Sequence, residues 1–274
     1  MSKPVDLEVS PAGMLLTDRV AVVTGGAQGI GAACALGLAR FGAHVAVCDR
    51  NAEGLAATVA DVEGLGRRAV SGELDVRDPE AVEAFLASVE AEFGHVDILV
   101  NNAGGTFFSP FLDVSGRGEA ALIAENFTQV THFIRRTVPL MGERGGSIVN
   151  VTSIEGHRAG PGFAIYSAMK AAVENLTKSL ALELAERRIR VNCIAPDMIP
   201  TPGDEGLSIA AAATQQDWSK TVLPDMGHPD DCAAAVVYLA SDFSRFLTGS
   251  TLHPDSGNLA SGGWKRLPDG HYTL

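Results

Sequence analysis

Cysteine is scarce in this chain, with four in 274 residues and no two of them in a CxxC spacing. Cys34, Cys48, Cys193 and Cys232 sit in apolar surroundings, as buried free thiols would, and argue against a disulfide framework. The seven histidines form no HxxxH pair or other ligand cluster, so no metal site is expected. Positive charge is also short: 21 Lys and Arg stand against 33 Asp and Glu, a formal net charge of −12. Nucleic acid and anionic membrane surfaces both require a cationic face and are disfavoured as partners. No apolar run approaches the roughly 18 residues of a transmembrane helix. The first residues, MSKPVDLEVSPAGMLL, carry acids and prolines where a signal peptide needs an uninterrupted apolar stretch, so the default expectation is a cytoplasmic protein.

What is abundant is apolar sequence, at 46%, together with 30 glycines, a balance suited to a well-buried core joined by tight turns. After a leader at residues 1–16, expected to be flexible, short β-branched runs alternate with helix-favouring stretches. The strands are expected at Arg19–Val23, at His44–Cys48 ending on Asp49, up to Asp75–Val76, and at Val96–Val100, Ser147–Val151, Ile189–Ile194 and Ser250–Leu252. Helices are expected at about 52–65, 79–93, 117–141, after Lys170 to about Arg188, and at 229–240. Such alternation predicts an α/β fold, a Rossmann-type doubly wound parallel sheet in a single domain over residues 17–257. The Gly-, Pro- and acid-rich stretch at about 197–227 falls where a substrate lid would lie, and residues 258–274 form a tail.

The first strand runs directly into Thr24-Gly25-Gly26-Ala27-Gln28-Gly29-Ile30-Gly31 and then an alanine-rich helix. In a strand–turn–helix context, glycines let the backbone turn sharply and approach a pyrophosphate, which the amides and macrodipole of the helix N-terminus favour. Asp49 closes the second strand at about the spacing expected of a ribose-binding carboxylate. It accepts from a ribose 2′-hydroxyl and repels a 2′-phosphate, which favours NAD over NADP. Arg50 is the dissenting residue, since a guanidinium could meet that phosphate.

Tyr166 and Lys170 are four residues apart, hence one turn apart on one helix face, and Ser153 follows the strand Ser147–Val151. A free tyrosine has a pKa of about 10 and is a poor base near neutrality. A neighbouring ammonium lowers that value, and a serine hydroxyl can hold a substrate oxygen as charge develops on it. Tyr-x-x-x-Lys alone is common in ordinary helices. Its weight comes from the company it keeps.

Taken together, Thr24-Gly25-x-x-x-Gly29-x-Gly31, Asp75, Asn101-Asn102-Ala103-Gly104, Asn126, Ser153 and Tyr166-x-x-x-Lys170 closely resemble the short-chain dehydrogenase/reductase family, from about residue 17 to 257. The resemblance implies a catalytic tetrad of Asn126, Ser153, Tyr166 and Lys170. Tyr166 would be the acid/base and Ser153 would orient the substrate oxygen. Lys170 would lower the tyrosine pKa and hold the nicotinamide ribose, and Asn126 would anchor a proton-relay water. It also implies that Asp75 and Val76 meet the adenine, and that Asn102, Ala103 and Gly104 meet the adenosine ribose region. The family's Pro-Gly-x-x-x-Thr stretch reads Pro196-Asp197-Met198-Ile199-Pro200-Thr201 here, leaving the Ile199 backbone and the Thr201 hydroxyl to hold the carboxamide. Aspartate tolerates unusual backbone angles better than most residues, though less freely than glycine. A carboxylate at that point is awkward for an anionic substrate end.

The resulting expectation is NAD-dependent interconversion of a secondary alcohol and a ketone. Apolar residues near the presumed crevice (Phe107, Phe108, Phe111, Ile154, Phe163 and Met198) suit a hydrophobic substrate, whether steroid-derived, a cyclic alcohol or an acyl thioester. The alternatives are NADPH-dependent reduction of 3-oxoacyl thioesters, and a catalytically silent NAD(H)-binding sensor or scaffold. Trp264 and Tyr272 in the tail are expected to pack on a neighbouring subunit of a homo-oligomer, a tetramer or dimer.

Overall fold

The computed structural model describes residues 9–202, 222–223, 225–267 and 271–273. Seven parallel strands form one sheet in the order β3-β2-β1-β4-β5-β6-β7. They are β1 (Val20–Thr24), β2 (His44–Asp49), β3 (Ala69–Glu73), β4 (Ile98–Asn101), β5 (Gly146–Val151), β6 (Ile189–Ile194) and β7 (Thr251–Leu252). The order reverses between β1 and β4, which places a crevice beyond their C-terminal ends.

Because side chains alternate along a strand, each central strand feeds two cores. Ala21 and Val23 of β1 pack on one face with helices α1 (Gly29–Arg40) and α2 (Ala52–Gly64) and with α7 (Pro229–Ala240). Val22 points the other way, into a core built with α3 (Pro79–Phe93), α5 (Gln129–Thr137) and α6 (Ala164–Glu183). This is the doubly wound arrangement expected from the alternating pattern. Local chemistry sets the helix starts. Asn51 accepts from the Gly54 N–H at the head of α2, and Asp78 accepts from Glu80 and Ala81 at the head of α3, where Pro79 occupies the first turn.

Four expectations need correction. The stretch 117–141 is not one helix. It breaks into α4 (Gly116–Ile123), a π-helical turn (Ala124–Thr128), α5, and a 3-10 turn (Val138–Arg144) that contains Pro139. Asn126 donates its side-chain N–H to the Leu122 carbonyl, one turn back, in competition with the backbone ladder. Helix α6 ends at Glu183, short of Arg188, which takes a left-handed φ of 57°. Strand β3 ends at Glu73, ahead of a turn in which Asp75 Oδ1 accepts from the Arg77 N–H. The leader is fixed before residue 16: Pro11–Met14 forms a 3-10 turn, and Leu16 is fully buried with its N–H on the Phe41 carbonyl.

All four cysteines are buried and unpaired with one another, as expected. Burial pushes the Cys193 thiol up to about 11 and raises Cys34 and Cys48 as well. The stretch 203–221, most of the expected lid, lies outside the described residues. Beyond it the chain forms a short helix α8 (Asn258–Ser261) and an antiparallel pair, β8 (Lys265–Arg266) with β9 (Tyr272–Thr273). No described helix is long and apolar enough to cross a membrane.

Candidate active site

A cleft of about 540 Å³ opens at the C-terminal ends of the strands. Its first wall is the turn between β1 and α1, with Gly25, Gln28, Gly29 and Ile30 on its surface. Gly25 has φ 68° and Gly29 φ 56°, both in the left-handed region that glycine occupies without strain. Gly31 lies underneath the surface. A Cβ there would run into the carbonyl oxygen of Gly25 and the amide of Asn102, so the turn closes only around a bare Cα.

Asn102 explains how that turn is held. Its side-chain N–H donates to the carbonyls of Thr24 and Gly25 at 3.0 and 3.1 Å, while its own N–H and that of Ala103 donate to Thr24 Oγ1. Asn102, Ala103 and Gly104 all border the cleft. On the adjoining wall Asp49 turns Oδ2 toward the Ala27 N–H and holds the N–H groups of Arg50 and Asn51 on Oδ1. Arg50 leans across to Glu125, 3.8 Å away and also on the cleft wall. Asp75 and Val76 complete this end. The bidentate Arg77 guanidinium, opposed in part by desolvation, holds the Asp75 carboxyl down at about 2.

The other end of the cleft gathers Ser153, Tyr166 and Lys170. Ser153 lies two residues beyond β5 and caps a 3-10 turn, accepting the Glu155 N–H on Oγ at 3.2 Å. Lys170 is 5% exposed, its ammonium 5.4 Å from the centre of the Tyr166 ring, and it donates to the Val151 carbonyl at 3.0 Å. Desolvation pushes its pKa down to about 8, against the pull of nearby Glu125.

Asn126 is 1% exposed and sits behind the cleft surface. It donates to the carbonyls of Gly105 and Leu122 at 2.8 and 3.0 Å, while its Oδ1 has no protein donor. The space a Gly104 side chain would enter lies 2.9 Å from that oxygen and 3.2 Å from Lys170 Nζ. The amide oxygen and the ammonium thus both border the space that a Gly104 side chain would fill.

After β6 the chain passes Asp197, Met198, Ile199 and Thr201, all on the cleft wall. Thr201 closes against Gly29, where an added Cβ would stand 3.2 Å from the threonine Cβ. The unusual backbone angle expected of Asp197 falls instead on Met198, at φ 58°.

Of the predicted site residues, all but Gly31 and Asn126 line this one cleft, and those two support it from beneath. Thr106 and Glu125 also line it and carried no sequence signal of their own. The apolar crevice is placed differently. Only Met198 of the six apolar candidates lines the cleft, and Ile154 is fully buried, its N–H on the Pro196 carbonyl. Phe107, Phe108 and Phe111 are 41%, 50% and 64% exposed on the loop before α4. Phe108 meets Phe163 edge-on at 5.5 Å, just before α6 begins.

A sheet crevice with a glycine turn at one end and a Ser–Tyr–Lys group at the other is the architecture of a dinucleotide-dependent oxidoreductase. A family model described as enoyl-(acyl carrier protein) reductase matches residues 25–258. An uncharacterised oxidoreductase of Mycobacterium tuberculosis, MT0954, is 40% identical over 88% of this chain and 92% of its own length. The 3-oxoacyl-[acyl-carrier-protein] reductase FabG of Thermotoga maritima is 38% identical, with coverages of 89% and 99%. Among solved structures, carveol dehydrogenase from Mycobacterium avium in complex with NAD superposes with a TM-score of 0.84 at 33% identity, covering 89% of this chain and 99% of that one. The chain belongs to the short-chain dehydrogenase/reductase family. It is an oxidoreductase acting on CH–OH and keto groups.

Proposed function

We propose that this protein interconverts a secondary alcohol and a ketone with NAD(H) as its cofactor and Tyr166 as the acid/base. The observation that carries the reading is the buried Lys170 ammonium, 5.4 Å from the Tyr166 ring in the same cleft end as Ser153. The dinucleotide fits the residues present: the Gly31 position tolerates no Cβ beneath the turn, and the buried Asn126 Oδ1 lacks a protein donor beside Lys170. Gly25, Gln28, Gly29, Ile30 and Gly31 would hold its pyrophosphate, Asp49 its adenosine ribose, and Asp75 and Val76 its adenine. Ile199 and Thr201 would hold the carboxamide. When bound, the cofactor supplies the hydride acceptor or donor. Tyr166 exchanges the proton with the substrate oxygen, Ser153 hydrogen-bonds that oxygen, and Lys170 favours the phenolate. Asn126 Oδ1 is the protein acceptor available to a proton-relay water beside Lys170.

The NAD preference rests on Asp49 and draws support from the NAD complex of carveol dehydrogenase. A hydrophobic substrate is favoured by Met198 in the cleft and the exposed phenylalanines near the head of α6. The second reading, NADPH-dependent reduction of 3-oxoacyl thioesters, draws on the similarity to FabG and on Arg50 in the cleft wall. The protein is also proposed to be a homo-oligomer with its tail at a subunit interface, where Trp264 is half-exposed. A monomeric mass in solution would remove that proposal. The decisive experiment follows NADH formation from NAD, or NADPH oxidation, across steroid alcohols, cyclic alcohols and acyl thioesters, beside Tyr166→Phe. Turnover lost in that variant with NADH binding kept is the expected result. Undiminished turnover in Tyr166→Phe would refute the acid/base assignment.

A further inference from the structure

Where relatives of this chain are expected to carry glycine, Asp197 brings a carboxylate to the cleft wall, and that carboxylate gathers three donors. Its Oδ1 accepts the N–H of Met198 at 2.9 Å. Its Oδ2 accepts the side-chain N–H of Asn258 at 3.1 Å and lies 3.3 Å from Arg158 Nη2. The Asp197 N–H itself donates to the Pro254 carbonyl. The partners come from separate parts of the chain. Arg158 belongs to the loop after Ser153 and is braced by Glu155 Oε1, at 3.1 Å from Nε and 2.7 Å from Nη2. Asn258 opens α8, whose first turn is held by Asp255, 4% exposed, accepting from the N–H groups of Gly257 and Leu259.

We propose that Asp197 is a positioning residue for the nicotinamide end of the cleft, tying the loop after β6 to the Ser153 loop through Arg158 and to the C-terminal segment through Asn258. The inference rests on the dinucleotide reading given above. The bond to the Met198 N–H sits at the point where the backbone takes a left-handed angle, a conformation that persists only where surrounding contacts determine it. That turn carries Ile199 and Thr201 onto the cleft wall and brings Thr201 against Gly29. The adenosine end is built from β2 and the residue pair after β3, on the other side of the strand-order reversal, and shares none of these contacts. Loosening the Asp197 anchor therefore acts first on the nicotinamide half, and reaches the pyrophosphate turn only through the packing of Thr201 on Gly29. The Glu155, Arg158 and Asp197 charges also leave one net negative charge beside Ser153, which disfavours a substrate with an anionic group near the reacting carbon.

The test compares two probes on the intact protein: NADH, by fluorescence titration, and ADP-ribose, which lacks the nicotinamide, by calorimetry. Asp197→Gly is expected to weaken NADH about tenfold, the net worth of one or two charge-assisted hydrogen bonds, while ADP-ribose stays within about twofold. Arg158→Met and Asn258→Ala each remove one tie and are expected to give the same selective loss to a smaller extent. They keep the proposal testable if Asp197→Gly does not fold. Equal losses for the two probes would mark Asp197 as merely structural and overturn the inference, as would unchanged NADH affinity in all three variants. If the wild-type chain bound neither probe, the dinucleotide reading itself would fall, and the inference with it.

Discussion

The Lys170 ammonium donates to the Val151 carbonyl across 3.0 Å, joining the Tyr166-bearing face of α6 to the last residue of β5. Together with the Asn150–Thr177 bond and the burial of Val173 and Ala181, this contact sets where α6 lies on the sheet, with the tyrosine one turn up the helix and the serine two residues past the strand. It also buries a cation, and burial lowers its pKa from 10.5 to about 8.

Lys170→Met is therefore expected to remove activity and to alter the pH dependence of stability. The unfolded lysine binds a proton up to about 10.5 and the folded one only up to about 8. Between these values the unfolded chain holds more protons, so this group makes folding more favourable as pH rises. Its penalty is fully present below pH 8 and gone above 10.5. The melting temperature of Lys170→Met minus that of wild type should accordingly fall as pH is raised through that window. A difference that stays flat would contradict a depressed lysine pKa.

Gly31→Ala probes the floor of the glycine turn. The added methyl would meet the Gly25 carbonyl, which is backbone, and the Asn102 side-chain amide, which is tied to the Thr24 and Gly25 carbonyls. Overpacking of this kind costs about 1–3 kcal/mol, and here backbone must move, so the upper end is expected. Thermal denaturation should show the loss, and NADH titration should show at least a comparable loss of binding. Retained affinity in a destabilised variant would separate the turn's folding role from any cofactor role.

Cofactor choice should respond to Asp49. Asp49→Asn keeps an acceptor for the Ala27 N–H but removes the charge that opposes a 2′-phosphate. The ratio of NADPH to NADH affinity is expected to rise about tenfold, since one charge contact in a half-buried wall is worth more than 1 kcal/mol. Glu125 holds Arg50 at 3.8 Å, so Asp49→Asn combined with Glu125→Gln should raise the ratio further by freeing that guanidinium. A wild-type enzyme that already binds NADPH more tightly would instead support the 3-oxoacyl thioester reading.

Much of this site was legible from spacing because its parts are local. The glycine turn, Asp49, and the Tyr166–Lys170 pair each depend on one strand end or one helix turn, and the short apolar runs marked the buried strands. What escaped were features set across the chain. The π-helical turn at Ala124–Thr128 arises where Asn126 bonds Gly105 and Leu122, and apolar periodicity does not encode a side chain's choice of partner. Ile154 follows a strand and was expected at the crevice, yet it is fully buried where the chain after β5 pairs with Pro196, a residue 42 positions away in sequence. The bond from Asn258 to Asp197 spans 61 residues of sequence, beyond the reach of any local pattern.

Asn126→Ala tests the least accessible member of the proposed tetrad. The buried Leu122 carbonyl and the partly buried Gly105 carbonyl lose a donor, at a cost of about 1–3 kcal/mol each if no water replaces it. The freed Leu122 carbonyl is expected to let the π-helical turn tighten toward a regular helix. That would pull Glu125 away from Arg50 and shift the Gly104–Gly105 backbone beside Lys170. Catalysis should therefore drop by more than the stability loss explains. Asn126→Asp provides the contrast, because an unprotonated carboxylate keeps the oxygen near Lys170 but cannot donate to the two carbonyls. If kcat falls in the alanine variant and largely returns in the aspartate variant, Oδ1 beside the ammonium is the functional atom. If both variants lose kcat alike, the donor side and the shape of the turn carry the effect.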